Sequence, residues 1–227
     1  MTDTTTSQSQ TVQRERLAEA ARYALLRRLA PAIRHDIAGA LQPISMVAVL
    51  LEKRLQKPEP DMTVIGKNVH DINTLAREAS AACMQLMGWL APKQDGPVPV
   101  HEGVQEALAL MATELSFQGI ELVNSTSGVA LSQPVSVMRG LFMAGLLALT
   151  DAQTGPGTVV VSAEIADGRP VLSLSFTATP AGEAGDDDMA VPPAYRALDW
   201  DDVQALAAAV SVSLVISSTQ LELYFPG

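Results

Sequence analysis

Arg34-His35-Asp36-Ile37-Ala38-Gly39-Ala40-Leu41-Gln42-Pro43-Ile44 reads as a stretch of helix carrying an imidazole on its outer side. With Ile33, the residues Ile37, Leu41 and Ile44 mark one apolar face at helical spacing. His35 stands two residues from both Ile33 and Ile37, about 200° around the helix from each at 100° per residue. Its ring is therefore expected to point outward, with Asp36 beside it. Gly39 follows one turn later. A glycine inside a helix costs about 1 kcal/mol relative to alanine, and its missing side chain opens the approach to His35.

The same periodicity extends in both directions. From about Val12 to Lys57 the stripe is Leu17, Leu25, Leu29, Ile33, Ile37, Leu41, Ile44, Val47, Leu51 and Leu55. Lys57-Pro58-Glu59-Pro60-Asp61 ends it, since two prolines cannot continue a helix and bias the residues before them toward extended geometry. A second helix carries Val64, Ile65, Val69, Ile72, Leu75, Ala76, Ala79, Cys83, Leu86, Met87 and Leu90 and stops before Pro92. Two long helices joined by a short loop form an antiparallel hairpin. Its apolar stripe needs a cover, and a second copy of the chain provides one in a two-fold four-helix bundle. The expected divisions are a disordered lead-in at 1–13, the hairpin at 14–91, a linker at 92–99 and a second domain at 100–227.

The second domain alternates in type. Val100 to Phe117 reads as helix ending at Gly119, and Ile120 to Asn124 as a strand. Ser132 is expected to cap a helix running to Asp151. Thr158 to Ala166 and Pro170 to Thr179 read as strands joined by an Asp167-Gly168 turn. A polar loop over Thr177 to Pro193 contains Asp186-Asp187-Asp188, which reads as a solvated acidic run. Asp199 or Asp201 caps a helix ending near Val210. Val212 to Ser217 and Gln220 to Phe225 are the last strands. The fold class is α+β: a helical hairpin followed by a small α/β sandwich with a mixed, mainly antiparallel sheet.

Charge is unevenly divided over the 227 residues. Residues 1–91 carry 11 Lys/Arg against 9 Asp/Glu, and residues 92–227 carry 4 against 16, for a net charge of −10. An acidic second half argues against nucleic acid and is a poor host for a triphosphate; it also serves solubility. No apolar run reaches membrane-spanning length, and the polar start has no signal-peptide pattern. Cys83 is alone, which leaves no internal disulfide framework. The cytoplasm is the expected compartment.

A His-bearing helical hairpin followed by helix, strand, helix, strand hairpin, loop, helix and two strands resembles the dimerisation-phosphotransfer and catalytic domains of sensor histidine kinases, over roughly residues 15–226. His35-Asp36-Ile37, with Leu41, Pro43 and Ile44, resembles that family's H-box. The nucleotide motifs depart from the pattern. In Gly145-Leu146-Leu147-Ala148-Leu149-Thr150-Asp151-Ala152, Leu149 stands where the magnesium-binding Asn belongs. Ala178-Thr179-Pro180-Ala181-Gly182 replaces Asp-x-Gly-x-Gly and lacks the adenine-reading Asp. Ala197-Leu198-Asp199-Trp200 replaces the glycine-rich turn before the last helix. A chain of this shape that keeps the histidine and lacks the nucleotide motifs resembles the kinase-like histidine phosphotransferases of the ChpT type.

The resemblance implies phosphoryl transfer through a phosphohistidine on His35, without ATP, between response-regulator receiver domains. Neutral imidazole can attack an aspartyl phosphate. Asp36 would hydrogen-bond one ring nitrogen and leave the other free, and Arg34 would balance phosphoryl charge. Gly39, Gln42, Ser45, Met46 and Val49 are the expected receiver contacts. Arg22, Arg27, Arg28 and Arg34 form a basic stretch that would steer an acidic receiver, or serve as ordinary solvated charge. Gly39 replaces the amide or hydroxyl residue linked in that family to dephosphorylation, and Gln42 shares its face. The implied partners are a second copy of the chain, receiver domains and a hybrid histidine kinase, with neither nucleic acid nor membrane. No cofactor is implied, magnesium being supplied by the receiver. His70-Asp71-Ile72 repeats the tripeptide on the second helix, 13 residues nearer the loop than the point opposite His35, or roughly 20 Å away. It reads as structural or as part of a docking face. Cys83 is expected in the core at the level of His35. The alternatives are a pseudokinase that binds without chemistry, and a divergent ATP-dependent kinase.

Overall fold

The computed structural model describes residues 2–90, 95–180 and 196–226. The Asp186–Asp188 run, Ala181-Gly182 and the start of the expected linker lie outside the described residues. Contacts divide the chain into two units, Ala30–Lys93 and a second made of Met1–Leu29 with Gln94–Gly227. One boundary, between Lys93 and Gln94, lies close to the expected end of the hairpin at residue 91; the other falls inside the first helix, between Leu29 and Ala30. It falls there because the early turns of that helix bury their small apolar face, and a charged side chain, within the second domain.

Helix α1 runs over Thr2–Leu55 and α2 over Met62–Leu90. The expected disordered lead-in is instead helical from Thr2. Once the alanine-rich turns around Ala18–Ala24 are formed, extension fixes one further residue per hydrogen bond and avoids a new nucleation step. Pro31 and Pro43 both sit inside α1, each removing the N–H that the carbonyl four residues earlier would receive. At the hairpin turn Asp61 accepts from the N–H groups of Thr63 and Val64, at 2.9 and 3.2 Å, and so starts α2.

Among the described residues of the hairpin unit, the buried apolar ones are Ile33, Ile65, Ala79, Leu86 and Trp89. The Asn68 side chain is buried with them, and its Oδ1 accepts from half-buried Arg54 at 2.7 Å. The expected stripe is only partly covered. Leu41 and Leu55 stay about half exposed, as do Val49, Leu50, Val69 and Met87. A two-helix hairpin can bury one narrow seam, and the rest of an apolar circumference is left open.

In the second unit, α3 (Val100–Phe117), α4 (Met143–Asp151, preceded by a π-helical turn at Val137–Phe142) and α5 (Trp200–Ala209) accompany a five-stranded sheet. The strands are β2 (Ile120–Ser125), β4 (Gly157–Ala166), β5 (Arg169–Ala178), β6 (Ser213–Ile216) and β7 (Gln220–Tyr224), in the order β2-β4-β5-β7-β6. β2 pairs parallel with β4, and the other pairs are antiparallel. Val159, Val161, Leu172, Leu174, Leu221 and Leu223 are buried, while Thr158, Ser173, Ser175, Gln220 and Glu222 alternate with them. That is the signature of a sheet covered on one face. α4 is buried from Met143 to Thr150, and Gly145 lets it approach Leu221 more closely than a Cβ would permit.

Asp167 and Gly168, with φ of 51° and 76°, make the two-residue β4–β5 turn. Gly119, at φ 70°, ends α3. Two expectations are corrected near the domain entrance. Pro97–Pro99 is a strand, β1, rather than linker, and it pairs antiparallel with β3 at Ser132–Pro134. Ser132 therefore lies in a strand and caps no helix. Asp95 instead receives the N–H and hydroxyl of Ser136 at 2.8 and 2.7 Å, just ahead of the π-helical turn.

Candidate functional site

His35 lies on the part of α1 that belongs to the hairpin unit, one turn after Pro31. Its side chain is 69% exposed and that of Asp36 41%. Nδ1 of His35 is 3.3 Å from Oδ1 of Asp36. A carboxylate at that position favours the tautomer with the proton on Nδ1. The Nε2 lone pair then faces solvent, where an electrophile can reach it. Arg34 is exposed next to this pair. The imidazole needs no rearrangement to be approached.

Below the ring, Ala38, Gly39, Gln42, Ser45, Met46 and Val49 are all exposed, Met46 by 60%. No charged residue occurs between Asp36 and Glu52. An exposed helix face is ordinarily charged, so the exposed residues of this uncharged run mark a surface suited to being covered. A Cβ built at Gly39 would meet nothing within 4 Å. Nothing in the chain itself demands glycine there. His70 is also exposed, with Asp71 half-buried, and Cys83 is half-buried rather than in the core.

The second unit carries an arrangement that sequence reasoning missed. Arg28 is 1% exposed and forms ion pairs with Glu114 of α3 and, at 3.2 Å, with Asp151 at the end of α4. It is not available to steer a partner. Burial works against its charge, yet Asp151 and Glu114 overcome that and hold its pKa above the ordinary value. The residues buried with it, Ala18, Ala21, Ala24, Leu25 and Leu29, recur at three and four, and this spacing puts position 28 on their face. That was the available signal.

Where the resemblance would put a nucleotide, the side chains are committed to the fold. Leu149 is fully buried. Thr150 donates its hydroxyl to the carbonyls of Leu146 and Leu147 at 3.0 and 3.1 Å. At the start of α5, Asp199 accepts from the Asp202 N–H at 3.0 Å and Asp202 accepts from the Asp199 N–H at 3.3 Å, a reciprocal cap. Arg196 forks onto Asp202 at 2.5 and 2.7 Å. The Leu198 N–H donates to the second oxygen of Asp151 at 3.3 Å. A helix N-terminus can hold a phosphate; here carboxylates of the chain itself take that place. Burial opposes the charge on Asp202, but Arg196 outweighs it and the carboxyl titrates below its ordinary range.

Among the described residues, no group of three or more His, Cys, Asp or Glu side chains is gathered to hold a metal ion, and no helix is long and apolar enough to cross a membrane. An open groove of about 440 Å³ lies between α5 and β6, lined by Gln204, Ala207, Ala208, Val212, Leu214 and Ile216.

No protein-family model matches the sequence, and no curated protein matches it. Its neighbours among solved structures include histidine kinase chains and a bacterial phosphotransferase. It is similar to the Acinetobacter baumannii histidine kinase AdeS, at 13% identity over 80% of this chain and 95% of that one, with a TM-score of 0.44. It is similar to a bacterial phosphotransferase at 17% identity over 88% and 94% of the two chains, with a TM-score of 0.39. It is similar to the mycobacterial sensor histidine kinase MprB at 15% identity over 59% and 98%, with a TM-score of 0.41.

Proposed function

We propose that this protein is a histidine phosphotransferase of two-component signalling, relaying a phosphoryl group between the aspartates of receiver domains through Nε2 of His35. The observation that carries the reading is the His35 imidazole itself, open to solvent and bonded at one nitrogen to Asp36. In the step, Nε2 attacks the phosphorus of an aspartyl phosphate. The P–N bond forms as the P–O bond to the receiver aspartate breaks, and that aspartate leaves as a free carboxylate. The imidazole keeps its Nδ1 proton, and Asp36 stabilises the positive charge that develops on the ring. Attack by a second receiver's aspartate reverses these changes. Magnesium comes with the receiver.

ATP has no part in this reading. Buried Leu149 and the carboxylate-filled N-terminus of α5 support that. The uncharged face running from Ala38 to Val49 supports a receiver docked below the histidine, with Arg34 beside the transferred group. The half-exposed Leu41, Leu50, Leu55 and Val69 support a second copy of the chain covering the rest of the hairpin, as in a homodimer. A receiver phosphorylated with labelled phosphate should label the wild-type protein and fail to label His35→Ala.

The uncharged face also favours a second reading, a module that binds a receiver without chemistry. In that case His35→Ala keeps its affinity for the receiver, and neither protein acquires label.

A further inference from the structure

Arg28 is a buried charge for which phosphoryl transfer has no use. It sits in a 54-residue helix, one residue before the point where that helix passes from one unit to the other. One side chain there ties three elements together: α1 through Arg28 itself, α3 through Glu114 and α4 through Asp151. Asp151 extends the chain of contacts. Oδ1 faces Arg28, and Oδ2 accepts the N–H of Leu198 in the turn that starts α5. The same turn is braced from its other side by the fork of Arg196 on Asp202. With both carboxylate oxygens in use and only 6% of its side chain exposed, Asp151 cannot lose one contact without its remaining geometry being affected.

We propose that the Arg28–Glu114–Asp151 cluster is a latch that fastens the first turns of α1 to the second domain and, through Asp151, couples their docking to the turn ahead of α5. Residues 18–29 then have two states. Docked, they bury Ala18, Ala21, Ala24, Leu25 and Leu29, and Asp151 holds the Leu198 amide. Released, they leave Asp151 without its cation, and a buried carboxylate without its partner turns toward water and lets the Leu198 amide go. The latch is independent of the chemistry at His35.

Amide hydrogen exchange on the full-length protein tests this directly. Arg28→Met keeps the length of the stem and removes the charge. It should speed exchange at residues 18–29 and at the Leu198 amide together, each at least about tenfold, while the amides of the β4–β5 hairpin keep their wild-type rates. Arg28→Lys keeps a charge that reaches fewer oxygens and should produce the same pair of changes at smaller size. It also serves as the readout if Arg28→Met speeds exchange throughout the protein. Loosening of residues 18–29 with Leu198 unchanged would overturn the coupling. Unchanged exchange at both places would overturn the latch.

Discussion

His35 holds its Nδ1 3.3 Å from the carboxylate of Asp36, its sequence neighbour, and both side chains are open to solvent. A contact between consecutive residues on a helix needs no tertiary structure to form it, so the pair travels with the helix. Its length, at the long end of the hydrogen-bond range, leaves the ring free to shift by tenths of an ångström as a phosphoryl group arrives. Asp36→Asn should slow transfer to His35 by about tenfold or more, since an amide fixes the tautomer less firmly and does not stabilise the imidazolium. The initial rate of labelling from a phosphorylated receiver measures it, and an unchanged rate removes Asp36 from the mechanism.

Gly39 separates stability from function. With open space around its missing Cβ, Gly39→Ala should stabilise the free protein by about 0.5–1 kcal/mol in denaturant unfolding. The same methyl group stands one turn below His35, on the face proposed to receive a partner. It should slow labelling by a receiver, and an unchanged rate would mean that no partner approaches there.

Leu149 tests the proposal that ATP has no part in the activity. Leu149→Asn puts an amide into a fully buried position among Leu146 and Leu147. It should cost about 2–4 kcal/mol of stability without conferring ATP binding. Thermal protection of the variant by ATP and magnesium would contradict this.

The cap of α5 gives a pH signature. The Asp202 carboxyl titrates lower in the folded chain than its ordinary 3.8. A group depressed in this way contributes stability above the ordinary value, and that contribution is lost as pH falls through the folded value. Acid titration of the thermal midpoint should therefore fall more steeply below pH 3.8 in the wild type than in Arg196→Met, which is the less stable of the two at neutral pH. Parallel curves would mean that the fork does not control Asp202.

The elements legible in the sequence are those written in local chemistry. Asp167-Gly168 supplies two positive-φ residues between alternating strands. Asp199 precedes its helix by one residue and caps it. The outward direction of His35 follows from its offset from Ile33, which is buried. What was missed depends on partners far away in sequence. β1 and β3 are three residues each, contain prolines, and exist only through pairing across some 35 residues. Arg28 reads as one of four surface arginines until Glu114 and Asp151 are brought to it by α3 and α4. Leu41 continues an apolar stripe on paper, but α2 is one helix wide and leaves it 47% exposed.

The most direct test of the central claim is transfer of labelled phosphate from a phosphorylated receiver domain, followed by mapping of the modified residue. An acid-labile phosphoryl group on His35, absent from His35→Ala and formed without added ATP, is the expected result. Label retained in His35→Ala, or label on His35 that appears only with ATP and magnesium and no receiver, would contradict it.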